Sequence, residues 1–336
     1  MPRRVAECGM STEPKPIKVL YFNHGGPDLY DLVRSSSKPG IEIVTLDTGS
    51  VEERLAKIVD CDAVIVGSFS LEKRFIDAGK RLRLVHHQGV GYHDTVDTAA
   101  LRERQIALAI APGGTSIGVA EHTLMMMLGV GKRLAFVDAE MRAGRWHTND
   151  LRAESHQLTG ATVGIVGLGR IGKELARMLT VFRTTTLYHD IVDMPAEVER
   201  ELKVKRVGLD ELLSRSDVVT LHVPLTKDTR HLIDTAALKK MKRGAYLINN
   251  ARGPVVSEAA LVEALKSGHL GGAGLDTYEV EPPPGVTPLA QFRNVVLTPH
   301  HAPGTIEAMK LKMNDIFANI DRFRRGEALE DRIELG

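Results

Sequence analysis

Residues 162–190, T-V-G-I-V-G-L-G-R-I-G-K-E-L-A-R-M-L-T-V-F-R-T-T-T-L-Y-H-D, admit few folds. An apolar run (Val163, Ile165, Val166) leads directly into Gly167, Gly169 and Gly172, at G-x-G-x-x-G spacing. Ile171, Leu175, Met178, Leu179 and Phe182 then recur at helical spacing, and a second β-branched run, 184–187, is followed by Asp190. This predicts strand, tight turn, helix, strand, acid. Gly167 permits the turn, Gly169 leaves room for a pyrophosphate, and Gly172 lets the helix pack on the strand. The free N–H groups and partial positive charge at the helix start suit phosphates. Asp190, 18 residues past Gly172, stands where a carboxylate accepts both hydroxyls of an adenosine ribose. The segment predicts dinucleotide binding. Asp190 favours NAD over NADP, because a ribose phosphate would meet like charge, and Ile191, Val192 and Asp193 bring no arginine.

A chain of 336 residues is long for one core, so two domains are expected. The 44 Lys and Arg against 43 Asp and Glu leave a net charge of +1, which gives no reason to expect nucleic acid or an anionic membrane as partner. Two cysteines, Cys8 and Cys61, support neither a disulfide framework nor a thiolate metal site. No apolar run is long enough to span a bilayer. Residues 1–15 lack the apolar core of a signal peptide and read as a loose tail, so the cytoplasm is the expected compartment. No metal site is expected either: His86 and His87 are adjacent on a predicted strand and point to opposite faces.

Ahead of the glycine turn, strands are expected at 17–22, 41–46, 63–66, 84–87 and 107–109, with helices near 51–58, 71–78 and 96–103. A continuous helix is expected from Thr115 to about Arg142, roughly 40 Å long at 1.5 Å per residue. Its run Met125–Met127 reads as packing rather than as a ligand site. Later strands fall at 218–223, 245–249, 272–275 and 295–298, with helices at 209–215, 235–241, 257–266 and 305–324. Such alternation predicts an α/β protein of two Rossmann-like, doubly wound parallel-sheet domains with a ligand cleft between them. The expected boundaries are 16–112 plus 303–336 for a substrate-binding domain and 113–302 for the NAD-binding domain.

Ligands of open α/β sheets bind beyond the carboxyl ends of the strands. Strand 245–249 runs into Arg252, strand 272–275 into Asp276 and then Glu281, and strand 295–298 into His300. Arginine grips a carboxylate with two N–H bonds and polarises a neighbouring carbonyl. Imidazole moves a proton near neutral pH, and a carboxylate on its other nitrogen orients it. Taken singly, an arginine after a strand also serves structural ion pairs, and Glu281 before Pro282 also reads as a solvated loop acid. Three such groups on one edge point to chemistry.

The chain resembles the D-isomer-specific 2-hydroxyacid dehydrogenases from about Ile17 to Arg325. The matching stretches are G-V-G-Y (89–92), P-G-G-T-S-I-G-V-A-E-H-T (112–123), the glycine turn, H-V-P-L-T-K-D-T-R-H-L-I (222–233), I-N-N-A-R-G-P-V-V (248–256), G-A-G-L-D-T-Y-E-V-E-P-P (272–283) and L-T-P-H (297–300). The resemblance implies Arg252, Glu281 and His300 as the catalytic set, with Arg252 on the substrate's carboxylate and keto oxygen. It implies a cofactor site of Gly167, Gly169, Arg170, Ile171, Gly172, Asp190, Val223, Pro224, Thr229, Ala251, Asp276 and His300. Within it Asp276 and the Ala251 backbone would hold the carboxamide. It implies that Gly89, Val90 and Gly91 offer N–H groups to the substrate, beside Ser68 and Phe69, and that the protein is a homodimer joined through the NAD-binding domain. Phe69 suggests an apolar wall, with Tyr92 adding to it.

Three departures from the family pattern stand out. His301 follows His300 where the family commonly has an apolar residue; position makes His300 the catalyst, with His301 the alternative if the register slips by one. The G-V-G-Y stretch runs on with one extra residue. Gly67 occupies the place where phosphoglycerate-oxidising relatives often carry arginine, which disfavours a phosphorylated substrate. The expected activity is NAD-linked interconversion of a small 2-hydroxy acid and its 2-keto acid. An NAD(H)-sensing, co-repressor-like binding protein of the same fold is the alternative. A methyltransferase, the third possibility, is disfavoured by the arginine, glutamate and histidine in register.

Overall fold

The computed structural model describes residues 14–335. The N-terminal tail, save its last two residues, and Cys8 lie outside them. The chain separates into two compact units, one running through Gly113 and resuming at Lys310, the other comprising Gly114–Met309.

The first unit opens with β1 (Ile17–Tyr21), α1 (Pro27–Ser35), β2 (Ile41–Val44) and α2 (Val51–Ile58). It continues through β3 (Ala63–Val66), α3 (Lys73–Ala78), β4 (Leu84–His87), α4 (Thr98–Glu103) and β5 (Ala107–Ile110). The short strands β3 and β4 are buried along their whole length, as parallel strands covered on both faces must be. Polar residues start the helices: Ser50 Oγ accepts from Glu53 N–H and Asp97 from Ala100 N–H. Phe22, Phe75, Val64, Val85 and Leu101 centre the core.

The second unit begins with α5 (Thr115–Gly131), α6 (Leu134–Arg142), β6 (Thr162–Val166), α7 (Arg170–Leu179) and β7 (Thr185–His189). Then come α8 (Ala196–Leu202), β8 (Val204–Arg206), α9 (Leu209–Arg215), β9 (Val218–Leu221) and α10 (Thr235–Lys240). It ends with β10 (Tyr246–Asn249), α11 (Glu258–Lys266), β11 (Gly272–Leu275) and β12 (Val295–Leu297). The helix α12 (Ile306–Arg324) starts before the boundary at Met309 and carries the chain into the first unit, where β13 (Arg332–Ile333) pairs antiparallel with β5.

The strand orders are β13-β5-β4-β3-β1-β2 and β12-β11-β10-β9-β6-β7-β8. Every pair but β13–β5 is parallel, so both sheets are doubly wound, with their order reversing beside β1 and β6. In the second unit Val163, Ile165 and Tyr188 face the α5 and α7 side with Met126 and Met127, while Val219, Leu221 and Leu247 pack on the other.

The expected continuous helix from Thr115 to Arg142 is two helices. α5 ends at Gly131, and Arg133 takes a left-handed conformation (φ 53°) that turns the chain before α6. Gly129 and Gly131 lower helix propensity just there, and a left-handed residue breaks the hydrogen-bond ladder. The expected 40 Å length is therefore wrong. Of the methionine run, Met126 and Met127 are buried but Met125 is 45% exposed. Helices α1 and α8 and strands β8 and β13 were not foreseen. Among the described residues no helix is long and apolar enough to cross a membrane.

Candidate active site

β6 delivers the chain to Gly167, whose φ of 95° only glycine adopts freely, and a Cβ there would lie 2.7 Å from the His222 carbonyl oxygen. At Gly172 a Cβ would lie 2.4 Å from the Gly167 oxygen. Nothing lies within 4 Å of the corresponding point at Gly169. The turn is thus closed on its inner side and open where a pyrophosphate would approach the start of α7. Asp190 sits against the same turn: Oδ2 accepts from Leu168 N–H (2.7 Å) and Oδ1 from Val192 N–H (2.9 Å). Each oxygen keeps lone pairs for a ribose hydroxyl. His222, at the end of β9, adds a buried Nδ1 with no hydrogen-bond partner, its imidazole pushed down to about 4 by burial. These residues fit an adenine dinucleotide.

Sequence reasoning missed Arg206. It enters from β8, donates from Nη2 to the Asp190 carbonyl (2.8 Å) and pairs with the Asp193 carboxylate. Only the pairing of β8 with β7 brings it there.

Three strand ends of the same sheet carry the remaining groups. Beyond β10, Asn249 is buried and shapes the next residues: its Nδ2 donates to the Arg252 carbonyl (2.9 Å) and its Oδ1 accepts from Ala251 N–H (3.1 Å). Gly253 then passes so close to the next loop that a Cβ would lie 1.8 Å from the Tyr278 oxygen. The arginine loop is thereby pressed against the loop bearing Glu281. Arg252 itself is half-buried and donates from Nη1 to the Ala251 carbonyl (3.0 Å).

Glu281 accepts from Tyr278 N–H at Oε1 (2.8 Å) and meets His300 Nδ1 at Oε2 (2.6 Å). Burial works to raise its carboxyl, but the bond to His300, that ring's charge, the Tyr278 N–H and the Arg252 guanidinium together hold it below the ordinary value. His300 has a left-handed backbone (φ 51°), uncommon for a non-glycine residue, and its N–H donates to the Asp276 carbonyl (2.7 Å). Asp276 is fully buried. Its carboxylate accepts from Thr298 Oγ1 (2.5 Å), His301 N–H (2.7 Å) and Ala302 N–H (2.8 Å). His122, from α5, meets Thr298 Oγ1 at 3.0 Å and lies 3.7 Å from Asp276. Asp276 therefore clamps the strained segment that presents His300. Of the two adjacent histidines, His300 meets Glu281, whereas the exposed His301 ring lies over Gly304.

The other expected cofactor residues also cluster past strand ends of this unit. Val223 and Pro224 follow β9, and Thr229 Oγ1 closes their turn by donating to the Pro224 carbonyl (2.6 Å). Arg170 and Ile171 open α7.

In the first unit, Gly89, Val90 and Gly91 follow β4. His87 Nδ1 meets the Gly89 carbonyl (2.9 Å), its Nε2 meets Thr95 Oγ1 (3.0 Å), and Thr95 Oγ1 donates to the Gly91 carbonyl (3.1 Å). Ser68 is exposed after β3. Phe69 packs edge-on against Phe22 and Phe75, with the Arg54 guanidinium carbon 3.6 Å from its ring centre.

A parallel sheet in this order, with a glycine turn and helix at its switch point, defines the nucleotide-binding Rossmann class. A profile of the "D-isomer specific 2-hydroxyacid dehydrogenase, NAD binding domain" matches residues 124–302. A glyoxylate reductase of Thermofilum pendens is 41% identical over 282 residues, covering 83% of each chain. A D-3-phosphoglycerate dehydrogenase of Archaeoglobus fulgidus is 37% identical over 95% of this chain, which spans only 59% of that longer protein. The apo structure of Rhodotorula graminis D-mandelate dehydrogenase superposes with a TM-score of 0.80 at 32% identity, over 96% of this chain and 98% of that one. The chain belongs to the D-isomer specific 2-hydroxyacid dehydrogenase family. It is an NAD-dependent oxidoreductase acting on a CH–OH group, and nothing in these likenesses favours the sensing alternative.

Proposed function

We propose that this protein interconverts a small, unphosphorylated D-2-hydroxy acid and its 2-keto acid, with Arg252, Glu281 and His300 at the reacting carbon. Bound NADH supplies the hydride for the reductive direction, so that R–CO–COO⁻ + NADH + H⁺ yields R–CHOH–COO⁻ + NAD⁺. Arg252 grips the carboxylate through paired N–H groups and draws charge from the adjacent keto oxygen. Glu281 accepts from Nδ1–H of His300, which fixes the ring and leaves Nε2–H to protonate that oxygen. Asp276 acts through the backbone, holding His300 in its left-handed conformation. By the family likeness, residues 89–91 of the first unit are further substrate-binding candidates. Asp190 selects NAD.

The 2.6 Å contact between His300 Nδ1 and Glu281 carries the reading, because a carboxylate-backed imidazole on the cofactor unit's own sheet edge is built for proton transfer. It also favours His300 over His301. The absence of a side chain at Gly67 supports an unphosphorylated substrate. We further propose a homodimer through the α5–α6 region, whose Ile117, Leu134, Met141 and Trp146 are each more than half exposed. The decisive experiment follows NADH oxidation across short, branched, aromatic and phosphorylated 2-keto acids, for the parent and for His300→Gln. The variant should lose on the order of 10²-fold or more in turnover while a fluorescence titration shows NADH still binding. Near-parental turnover would refute the assignment.

A further inference from the structure

We infer that His122 is a positioning residue for the reaction: from α5 it holds Thr298 and, through Thr298, the Asp276 carboxylate that fixes the backbone presenting His300. This rests on the reading of His300 given above.

One face of α5 runs along the segment that carries His300. Gly118, His122 and Met126 recur every fourth residue and so share that face. A Cβ at Gly118 would lie 3.5 Å from the Ala302 carbonyl oxygen, and His122 Nε2 lies 3.0 Å from Thr298 Oγ1. A turn further on, the Met126 Cβ lies 3.1 Å from where a Gly274 Cβ would stand, on the strand that leads to Asp276. The helix therefore meets the segment on both sides of His300, and His122 is its polar contact there.

The hydrogen-bond chain has one direction. Asp276, as a carboxylate, only accepts, so the Thr298 hydroxyl gives its single proton to Oδ1 (2.5 Å). Thr298 Oγ1 then accepts from His122, and it is Nε2 of that ring that carries the proton. Burial pushes the His122 imidazole below its ordinary value; Asp276 pulls it up less than burial lowers it, and the neighbouring His301 adds to the fall. The ring is accordingly a neutral donor at neutral pH. The other polar atoms of Thr298 are also engaged: its N–H donates to the Leu275 carbonyl (3.0 Å), and its carbonyl accepts from the Tyr278 hydroxyl (3.0 Å). Only Pro299 separates Thr298 from His300. A left-handed non-glycine residue persists only where its surroundings over-determine it, and His122 is the side chain that ties these surroundings to a helix. Without its N–H, Thr298 and Asp276 hold the segment less firmly, and His300 strays from its contact with Glu281. Such misplacement costs rate more than binding.

The test follows NADH oxidation on whichever of glyoxylate, hydroxypyruvate and pyruvate the parent reduces fastest. His122→Phe keeps a ring but no N–H, and His122→Gln restores a donor at similar reach. His122→Phe should lose on the order of tenfold in kcat, with KM for the acid and the fluorescence-measured NADH affinity within about threefold of the parent. His122→Gln should recover most of that loss. Thr298→Val should match His122→Phe, and the double variant should fall no more than about twofold below the weaker single one, because both break one chain. A general loosening of the fold would instead raise KM and lower the melting temperature in both His122 variants alike. Should His122→Phe fail to fold, Thr298→Val makes the same comparison. A kcat within about twofold of the parent in the variant that folds, a loss shared by His122→Gln, or losses that multiply in the double variant overturns the role. If no 2-keto acid is reduced, or His300→Gln keeps near-parental turnover, the reading of His300 falls and this role with it. A crippled His300→Gln beside an unaffected His122→Phe sinks the positioning role alone.

Discussion

Glu281 is the residue whose ionisation the geometry exposes most directly. Its carboxyl is held below the ordinary 4.5, so the charge it brings to the pairing with His300 is fully present above that value and is lost as pH falls through the lowered one. The difference in melting temperature between the parent and Glu281→Gln should therefore be present at about pH 5 and shrink as the solution is taken into stronger acid. A difference that does not change as the pH falls below about 5 would argue against a paired carboxylate. Asp190 gives a second prediction at this scale. Its side chain opposes a ribose phosphate, while Arg206 waits beside it, occupied by Asp193. Asp190→Ala should raise NADPH affinity relative to NADH by about tenfold or more, a partly screened charge repulsion being worth on the order of 1–4 kcal/mol. Adding Asp193→Asn should raise it further by freeing Arg206. Titration of both nucleotides by fluorescence checks it. Asp276 shows a residue whose position was legible but whose work was not: its carboxylate is taken up by two backbone N–H groups and a hydroxyl. If it also holds a nicotinamide amide, as proposed from the family likeness, it does so while clamping the His300 segment.

Among elements, the loops after the strands carry the proposed catalytic residues, and their shapes come from close backbone crossings. Gly253 is the clearest case. Any side chain there collides with the backbone of Tyr278 and Glu279, which no rotamer change relieves. Gly253→Ala should cost stability by about 2 kcal/mol or more and depress kcat, as the Arg252 loop moves off the Glu281 loop. Circular dichroism melts and turnover measured together would show it, and an unperturbed melt would mean the crossing is looser than described. The division of the expected long helix at Arg133 belongs to the same scale. Gly129 and Gly131 marked a weak point, but whether a weak helix bends or breaks depends on what it packs against. Here Gly131 lies against the His156 carbonyl and the Tyr246 ring, with His156 N–H donating to the Gly131 carbonyl.

For the whole molecule, the doubly wound order of both sheets followed from alternation of short β-branched runs with amphipathic helices. Strands β8 and β13 escaped because V-K-R and R-I are too short and too polar to declare themselves. The proposed homodimer is testable here: light scattering should give about twice the mass of the chain, and Leu134→Asp with Met141→Asp should shift it toward monomer. A monomeric parent would remove the proposal without touching the chemistry.

The linear order of residues determined by itself that this chain binds a dinucleotide, where Asp190 falls, and that Arg252, Glu281 and His300 lie beyond carboxyl ends of parallel strands. Those properties are local: glycine spacing, strand periodicity and the residue after a strand need no distant partner to be read. Only the tertiary structure decided that His300 rather than His301 meets Glu281, that Arg206 reaches Asp190, and that His122 meets Thr298. Each of these joins segments that sequence separation leaves unrelated until the sheet brings their ends side by side.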